Sequence, residues 1–382
     1  MEKTVQLGID ADRQYMDRAI ELAWQGRGWT SPNPMVGAVV VKDGQVVGEG
    51  FHPQAGKSHA EIFALDAAGA ESEGATLYVT LEPCAHHGRT PPCVERVLSS
   101  GITRVVVAVM DPNPLVAGKG IQRLRDAGID VEVGTSAHEA TRLNERFFKY
   151  IKTKRPFVAI KTGMSLDGKI ATASGESQWI TNEDSRMHVQ TLRATYDAIM
   201  VGVNTVVQDN PRLTCRIPGG RQPIKIIIDS MARTPLNANL FSKQATAHLR
   251  SNTIICVCSR APDDRVRALR EVGAEILVCL DSGFNVDTHI DLAKLMPMLG
   301  KREITSVLLE GGGTLNSAAL DAGIVDKIYA YVAPKIIGGV GAPTMVEGSG
   351  VVLLEEAVQL YRMSCSQMNG DILLEAYTQP ED

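Results

Sequence analysis

The sequence predicts an α/β protein of two consecutive domains, on three observations. Apolar runs of strand character alternate with helical spacings along the whole chain. A basic segment, Lys149-Tyr-Ile-Lys-Thr-Lys-Arg-Pro156, interrupts the alternation, and its proline blocks helix continuation. The chain has 382 residues, room for two domains of ~100–200 residues each. The expected division is 1–150 and 156–382.

In the first domain, apolar positions at Met16, Ile20 and Ala23 predict a helix over residues 12–25. Val36 to Val41 and Gln45 to Val47 read as strands of a hairpin around Lys42-Asp43-Gly44. A helix is expected at 59–68, a strand at 75–81, a helix at 92–100 and a strand at 104–109. A helix at 118–127, a strand at 129–133 and a helix from Ser136 to about Ile151 complete it. Strands separated by single helices predict βαβ units with helices on both faces of a sheet.

The second domain continues with strands at Phe157–Lys161 and Ala198–Val203 and a helix over Glu183–Ala194 between them. Ile224 to Ile228 is a near-continuous β-branched run, as in a strand buried on both faces. Pro262-Asp263-Asp264 opens a helix that closes at Gly273. Thr305 to Leu309 is a strand leading into Glu310-Gly-Gly-Gly and a helix from Thr314. Cys256 and Cys258, two apart on an apolar strand, share one face and read as core, as does Cys279. Trp24 and Trp29 read as packing or rim residues.

Composition narrows the function. Hydrophobic residues make up 44% and charged residues 22%, an ordinary globular balance. The formal net charge of −5 argues against a protein living on nucleic acid or on an anionic membrane. The first residues show no apolar signal-peptide core. Apolar stretches such as Val105 to Met110 fall far short of the ~20 residues a membrane span needs. Seven scattered cysteines do not suggest a disulfide framework. The expectation is a soluble cytoplasmic protein.

Two constellations carry chemistry. In the first, His59-Ala60-Glu61 is followed by Pro83-Cys84 and, after eight intervening residues, Cys93. Zinc takes imidazole and thiolate ligands, and a catalytic site supplies three of them and leaves a position open. His59, Cys84 and Cys93 would be those ligands. Two thiolates neutralise the ion, so a nearby base must take the proton from water, and Glu61 is placed to pass it to a departing amine. That is the logic of hydrolytic deamination at an amidine-like ring carbon. Blander readings stand beside it. Ser58-x-x-Glu61 also has the form of a capping box, and Cys84 and Cys93 could be buried thiols.

His-Ala-Glu with a later Pro-Cys resembles the cytidine deaminase superfamily, whose usual form is Cys-x-x-Cys. The wider loop here, Leu81-Glu-Pro-Cys-Ala-His-His-Gly-Arg-Thr-Pro-Pro-Cys93, resembles instead the deaminase domain of the bifunctional riboflavin-biosynthesis deaminase/reductase family. Pro32-Asn-Pro-Met-Val-Gly37, Gly50-Phe-His52 and Asp111-Pro-Asn-Pro-Leu-Val-Ala-Gly118 are similar to the same family. The resemblance covers essentially the whole chain. It implies a cytidine-deaminase-like three-layer domain in which Asn33, His52, His86 and Arg89 contact the pyrimidine substrate. His86 and His87 fit a solvated loop as well as a substrate contact.

The second constellation is Glu310-Gly-Gly-Gly-Thr-Leu-Asn316, between a strand and a helix. Such a turn lets backbone amides approach a phosphate at a helix N-terminus, but it is not a Gly-x-Gly-x-x-Gly fingerprint and fits a plain turn equally. Ala159-Ile-Lys-Thr-Gly-Met-Ser-Leu-Asp-Gly168, Gly175-Glu-Ser-Gln-Trp-Ile-Thr181, Gly202-Val-Asn-Thr205, Asp209-Asn-Pro-Arg-Leu-Thr-Cys-Arg216 and Ile228-Asp-Ser230 resemble the family's reductase domain, which is dihydrofolate-reductase-like and uses NADPH. The resemblance places Gly163, Trp179, Thr205, Asp209, Ser230 and the turn Gly312, Gly313, Thr314, Leu315, Asn316 around the cofactor. Ser177, Arg193, Leu213, Arg216 and Glu310 would line the substrate. Arg193 and Arg216 converging on one phosphate would anchor a phosphorylated sugar, although Arg193 alone fits a solvated helix face. Glu310, Asp209 and water are candidates for the proton donor.

The expected function is therefore zinc-dependent deamination of 2,5-diamino-6-(5-phosphoribosylamino)pyrimidin-4(3H)-one, then NADPH-dependent reduction of the ribosyl to the ribityl group. The partner is that small phosphoribosyl-pyrimidine, with no nucleic acid or membrane, and the resemblance implies a dimer through the reductase domain. Two rival readings remain at this level. One is a nucleic-acid or nucleoside deaminase with an appendage. The other is a ligand sensor whose structural zinc is closed by His86 or His87.

Overall fold

The computed structural model describes residues 2–85, 91–113, 116–241, 252–279 and 290–380, the side chains of residues 2–10 excepted. The chain divides into two compact units, Met1–Lys154 and Arg155–Asp382.

The first unit runs α1 (Glu2–Ala23), β1 (Gly37–Lys42), β2 (Gln45–Phe51), α2 (Ala60–Ala68), β3 (Thr76–Val79), α3 (Cys93–Leu98), β4 (Arg104–Val107), α4 (Lys119–Asp126), β5 (Asp130–Val133), α5 (Ala137–Leu143) and α6 (Glu145–Thr153). Asp43 and Gly44 both adopt positive φ, the backbone of the tight two-residue turn that pairs Lys42 with Gln45. Among the described residues the sheet order is β2-β1-β3-β4-β5, antiparallel in its first two pairings and parallel between β3, β4 and β5. Alternate strand residues face opposite sides. Val40, Leu77, Val79, Val105 and Val107 pack with Ala64, Val94 and Leu124 of α2, α3 and α4. Val39, Val41, Tyr78 and Val106 pack with Met16 and Ala19 of α1. Both faces are covered, which is why these strands read as unbroken apolar runs.

One expected element divides. The helix foreseen from Ser136 to Ile151 breaks at Asn144 (φ −112°, ψ 20°) into α5 and α6. The cause is tertiary. The buried Asn144 amide accepts from Met35 N at 2.8 Å and donates to Met35 O at 2.8 Å, like a neighbouring strand.

The second unit runs β6 (Phe157–Ser165), α7 (Glu183–Thr195), β7 (Ala198–Gly202), α8 (Val203–Asp209), β8 (Ile224–Ile228), β9 (Thr253–Cys258), α9 (Asp263–Glu271), β10 (Glu275–Cys279), α10 (Leu292–Gly300), β11 (Ser306–Leu309), α11 (Gly313–Asp321), β12 (Lys327–Ala333), β13 (Tyr361–Met368) and β14 (Asp371–Tyr377). Among the described residues the sheet order is β10-β9-β8-β7-β11-β6-β12-β14-β13, parallel except where β14 pairs with β12 and β13. Met200, Ile226 and Cys256 face α10 and α11, where Cys258 and Cys279 also lie, as the sequence predicts. Val201, Ile227 and Val257 face α8 and α9. Trp24 and Trp29 of the first unit are 45% and 44% exposed, so they lie on its surface rather than in its core.

Candidate active sites

The first site gathers where β3 and α3 meet the start of α2. His59 is the N-cap of α2, Cys84 follows β3, and Cys93 is the first residue of α3. His59 Nδ1 lies 3.1 Å from Cys93 Sγ and 3.6 Å from Cys84 Sγ, and the Cys93 amide donates to Cys84 Sγ at 3.3 Å. The three donor atoms all lie within 4.8 Å of one another. Ligands of a tetrahedral zinc sit about 3.5 Å apart, so one imidazole and two thiols at these distances fit that ion. The Cys93 thiol and the His59 ring hold the Cys84 thiol down to about 4, against the burial that opposes ionisation.

Glu61, in the first turn of α2, is buried at 3% exposure, and its Oε2 has no hydrogen-bond partner. The capping box does not form, since helix α2 has no side-chain cap and His59 rather than Ser58 is its N-cap. Burial raises the Glu61 carboxyl, partly offset by the nearby His59. An unsatisfied buried carboxylate oxygen is costly and marks a functional group rather than a structural one.

His52 and Asn33 join this cluster. The His52 ring meets that of His59 edge to face, centroids 5.3 Å apart. Its Nδ1 lies 2.9 Å from Ser58 O and its Nε2 3.2 Å from Asn33 Nδ2. A carbonyl can only accept, so Nδ1 carries the proton and Nε2 accepts from Asn33. Burial lowers the His52 ring and keeps it neutral. Asn33 retains its Oδ1 for a ligand, and Asn144 holds the backbone two residues further on, at Met35. His86, His87 and Arg89 lie outside the described residues.

In the second unit, a cavity of about 1140 Å³ opens beyond the ends of β6, β7, β8 and β11. Of the residues singled out in the sequence, Gly163, Ser177, Thr205, Asp209, Ser230, Glu310, Gly312, Gly313, Thr314 and Leu315 line it. The others lie elsewhere. Leu213 is buried in the core facing α8 and α9. Asn316 is buried and donates to Met345 O at 2.8 Å. Trp179 is exposed beneath Arg186, whose guanidinium lies 4.7 Å from its ring centroid. Arg216 is exposed, with its amide on Gln190 Oε1 at 2.9 Å.

Arg193 is not on a solvated face. Its Nε and Nη2 grip Glu310 at 2.7 and 2.8 Å, and its Nη1 reaches Thr214 O at 3.2 Å. Lys161 Nζ lies 3.1 Å from the same carboxylate. Burial pushes the Glu310 carboxyl up, but Arg193 and Lys161 outweigh it and hold the group at about 2. Glu310 is therefore a fixed anion, which removes it as a proton donor. Burial raises Asp209. Lys161, Arg233 and Arg260 also line the cavity, and the sequence reading did not single them out. Lys161 had a signal, for it is a lysine inside the apolar run of β6.

Known proteins resemble the chain throughout. Residues 9–109 match the cytidine and deoxycytidylate deaminase zinc-binding region, and residues 156–374 match the RibD C-terminal domain. A riboflavin biosynthesis protein RibD of Actinobacillus pleuropneumoniae is 47% identical over 95% of this chain and 94% of its own length. The Escherichia coli RibD is 46% identical over 86% and 89%. Among solved structures, Acinetobacter baumannii RibD superposes with a TM-score of 0.85 at 40% identity, covering 97% of this chain and 100% of that one. A diaminohydroxyphosphoribosylaminopyrimidine deaminase/5-amino-6-(5-phosphoribosylamino)uracil reductase from Thermotoga maritima gives 0.83 at 36% identity, covering 97% and 99%. With a domain match over more than half of its residues and full-length relatives nearly half identical, the chain belongs to the RibD family of riboflavin-biosynthesis proteins.

Proposed function

We propose that His59, Cys84 and Cys93 hold zinc in the first unit and that Glu61 is the proton carrier of a deamination. The buried Oε2 of Glu61, unpartnered beside three convergent donors, carries this reading. Family membership makes the chain a bifunctional enzyme of riboflavin biosynthesis, with deaminase and reductase activities. Its substrate is 2,5-diamino-6-(5-phosphoribosylamino)pyrimidin-4(3H)-one. What zinc supplies at such a site is Lewis acidity toward water. Glu61 would take a proton from the attacking water and return it to the departing amine. Asn33 and His52 orient the pyrimidine edge, with His86 and Arg89 completing the contacts.

The second unit reduces the ribosyl group. What NADPH supplies there is a hydride. Gly163, Thr205, Asp209, Ser230 and the Gly312–Asn316 turn hold the cofactor, with Trp179 at the rim. Ser177, Leu213, Arg216 and Glu310 serve the substrate. Arg193 acts through Glu310, and Lys161 Nζ is the cavity donor placed to give a proton to the opening sugar oxygen. Two copies pair through this unit. β13 is the edge strand among the described residues, and the segment leading into it leaves Val352 92% and Leu354 94% exposed, a surface that a second copy would cover. The free cysteines suit a reducing, cytoplasmic compartment. No described helix is long and apolar enough to cross a membrane.

The test is ammonia release and NADPH oxidation in one cuvette, for the wild type and Glu61→Gln. The wild type should show both signals. The variant should bind zinc, lose ammonia release by about 100-fold or more, and reduce the deaminated pyrimidine normally. Normal ammonia release by the variant removes Glu61 from the mechanism.

A further inference from the structure

Glu82 is charged, lies two residues before Cys84, and is only 4% exposed. Nothing in the proposed deamination uses it. Its carboxylate is not idle, for it receives four backbone N–H groups. Oε2 accepts from Asp111 at 3.1 Å and Gly118 at 2.9 Å, and Oε1 from Gly120 at 2.8 Å and Ile121 at 3.2 Å. Gly118 is the N-cap of α4, and Gly120 and Ile121 lie in its first turn. One side chain from the segment after β3 therefore caps a helix more than thirty residues away and ties down the start of the connection from β4.

The same segment is clamped a second way. The Glu82 amide donates to Val109 O at 3.0 Å. Gly120 packs so closely on the segment that a Cβ there would lie 2.1 Å from Pro83 O. Pro83 and Cys84 thus follow directly on a carboxylate anchored to the first turn of α4, and Pro83 packs against that same turn.

We propose that Glu82 is a positioning residue for the metal centre. It ties Asp111, Gly118 and the first turn of α4 to the Pro83-Cys84 segment, so that Cys84 Sγ stands ready beside His59 and Cys93. This rests on the zinc reading of those three residues. With the hub intact, the cost of ordering Cys84 is met on folding. Without it, that cost falls on metal binding, and the contact between the first turn of α4 and Pro83 loosens with it.

The experiment measures zinc affinity of the full chain by competition with a chromogenic chelator, alongside deaminase and reductase kinetics. Glu82→Gln puts an NH2 against N–H donors. It should weaken zinc binding on the order of 10-fold, as outer-shell substitutions do, and raise the deaminase KM more than it lowers kcat. Reductase turnover should not change. Gly120→Ala presses on Pro83 O with the carboxylate intact and should weaken zinc binding in the same direction. A lower melting temperature with wild-type zinc affinity and KM in both variants overturns the proposal. If Glu82→Gln does not fold, the Gly120→Ala affinity decides alone. A wild-type chain that takes up no zinc refutes the zinc reading itself, a result distinct from wild-type affinity in the variants.

Discussion

Removing the Arg193 guanidinium should destabilise the second unit by about 3 kcal/mol, a figure reached by two routes. The Glu310 carboxyl is held from an ordinary 4.5 down to about 2. A group so depressed and fully enclosed contributes about 3 kcal/mol to folding at neutral pH. Independently, deleting one partner of a buried ion pair costs about 3–5 kcal/mol, because the other charge is left uncompensated. Lys161, 3.1 Å from the same carboxylate, softens the loss and favours the lower end. In a unit of this size that amounts to a fall of about 6–12 °C in melting temperature. The change to make is Arg193→Met, which keeps the bulk of the stem.

Urea unfolding should be followed by Trp179 fluorescence after Trp24 and Trp29 are replaced by Phe, since the chain has three tryptophans. The sign with pH is fixed by the direction of the shift. Glu310 is depressed, so its contribution is present above about pH 4.5 and is lost as pH falls toward 2. The gap between wild type and Arg193→Met should therefore close over that window. Arg193→Met, Glu310→Met together should recover part of the loss, because the stranded carboxylate is gone and Lys161, which loses its partner, still faces the cavity. A single variant within about 1 kcal/mol of wild type at pH 7 would refute the reasoning, as would a gap that does not depend on pH.

Three further outcomes follow from the same geometry. Arg216→Ala should raise the reductase KM for the phosphorylated substrate and leave ammonia release untouched, and an unchanged KM removes its phosphate role. Asn144→Ala strands the Met35 amide and carbonyl and should cost about 1–3 kcal/mol. Through Met35 it should also raise the deaminase KM, which steady-state kinetics would show. Gly313→Ala puts a Cβ 2.5 Å from Thr344 O and 2.6 Å from Glu347 Cγ, a strain of about 1–3 kcal/mol. It should weaken NADPH binding by fluorescence titration, and wild-type affinity would mean that the turn is not the cradle.

Much of the first site was legible because metal chemistry restricts residue types and their spacing. A histidine, a glutamate two positions later and two cysteines in a proline-marked loop have few other uses together, and the histidine and both cysteines converge. His52 and Asn33 came from resemblance, and the row they make with His59 is a product of folding. The second site was less legible. A glycine turn is a common object, and a lone arginine on a helix is usually solvated. Arg193 instead reaches across to Glu310, a partner 117 residues away.

The sequence by itself determined what depends on local pattern and residue chemistry. That covers the alternation of strands and helices, the Asp43-Gly44 turn and the histidine and cysteine pattern of the first site. The tertiary structure alone decided which charges are neutralised and by whom. Asn144 ends a helix because Met35 offers it a backbone edge, and Glu82 caps α4 because the chain brings that helix to it. Glu310 stays ionised because Arg193 and Lys161 enclose it. The reason is physical. Secondary-structure preference is summed over near neighbours, whereas desolvation and hydrogen-bond pairing depend on groups that meet only when distant segments pack.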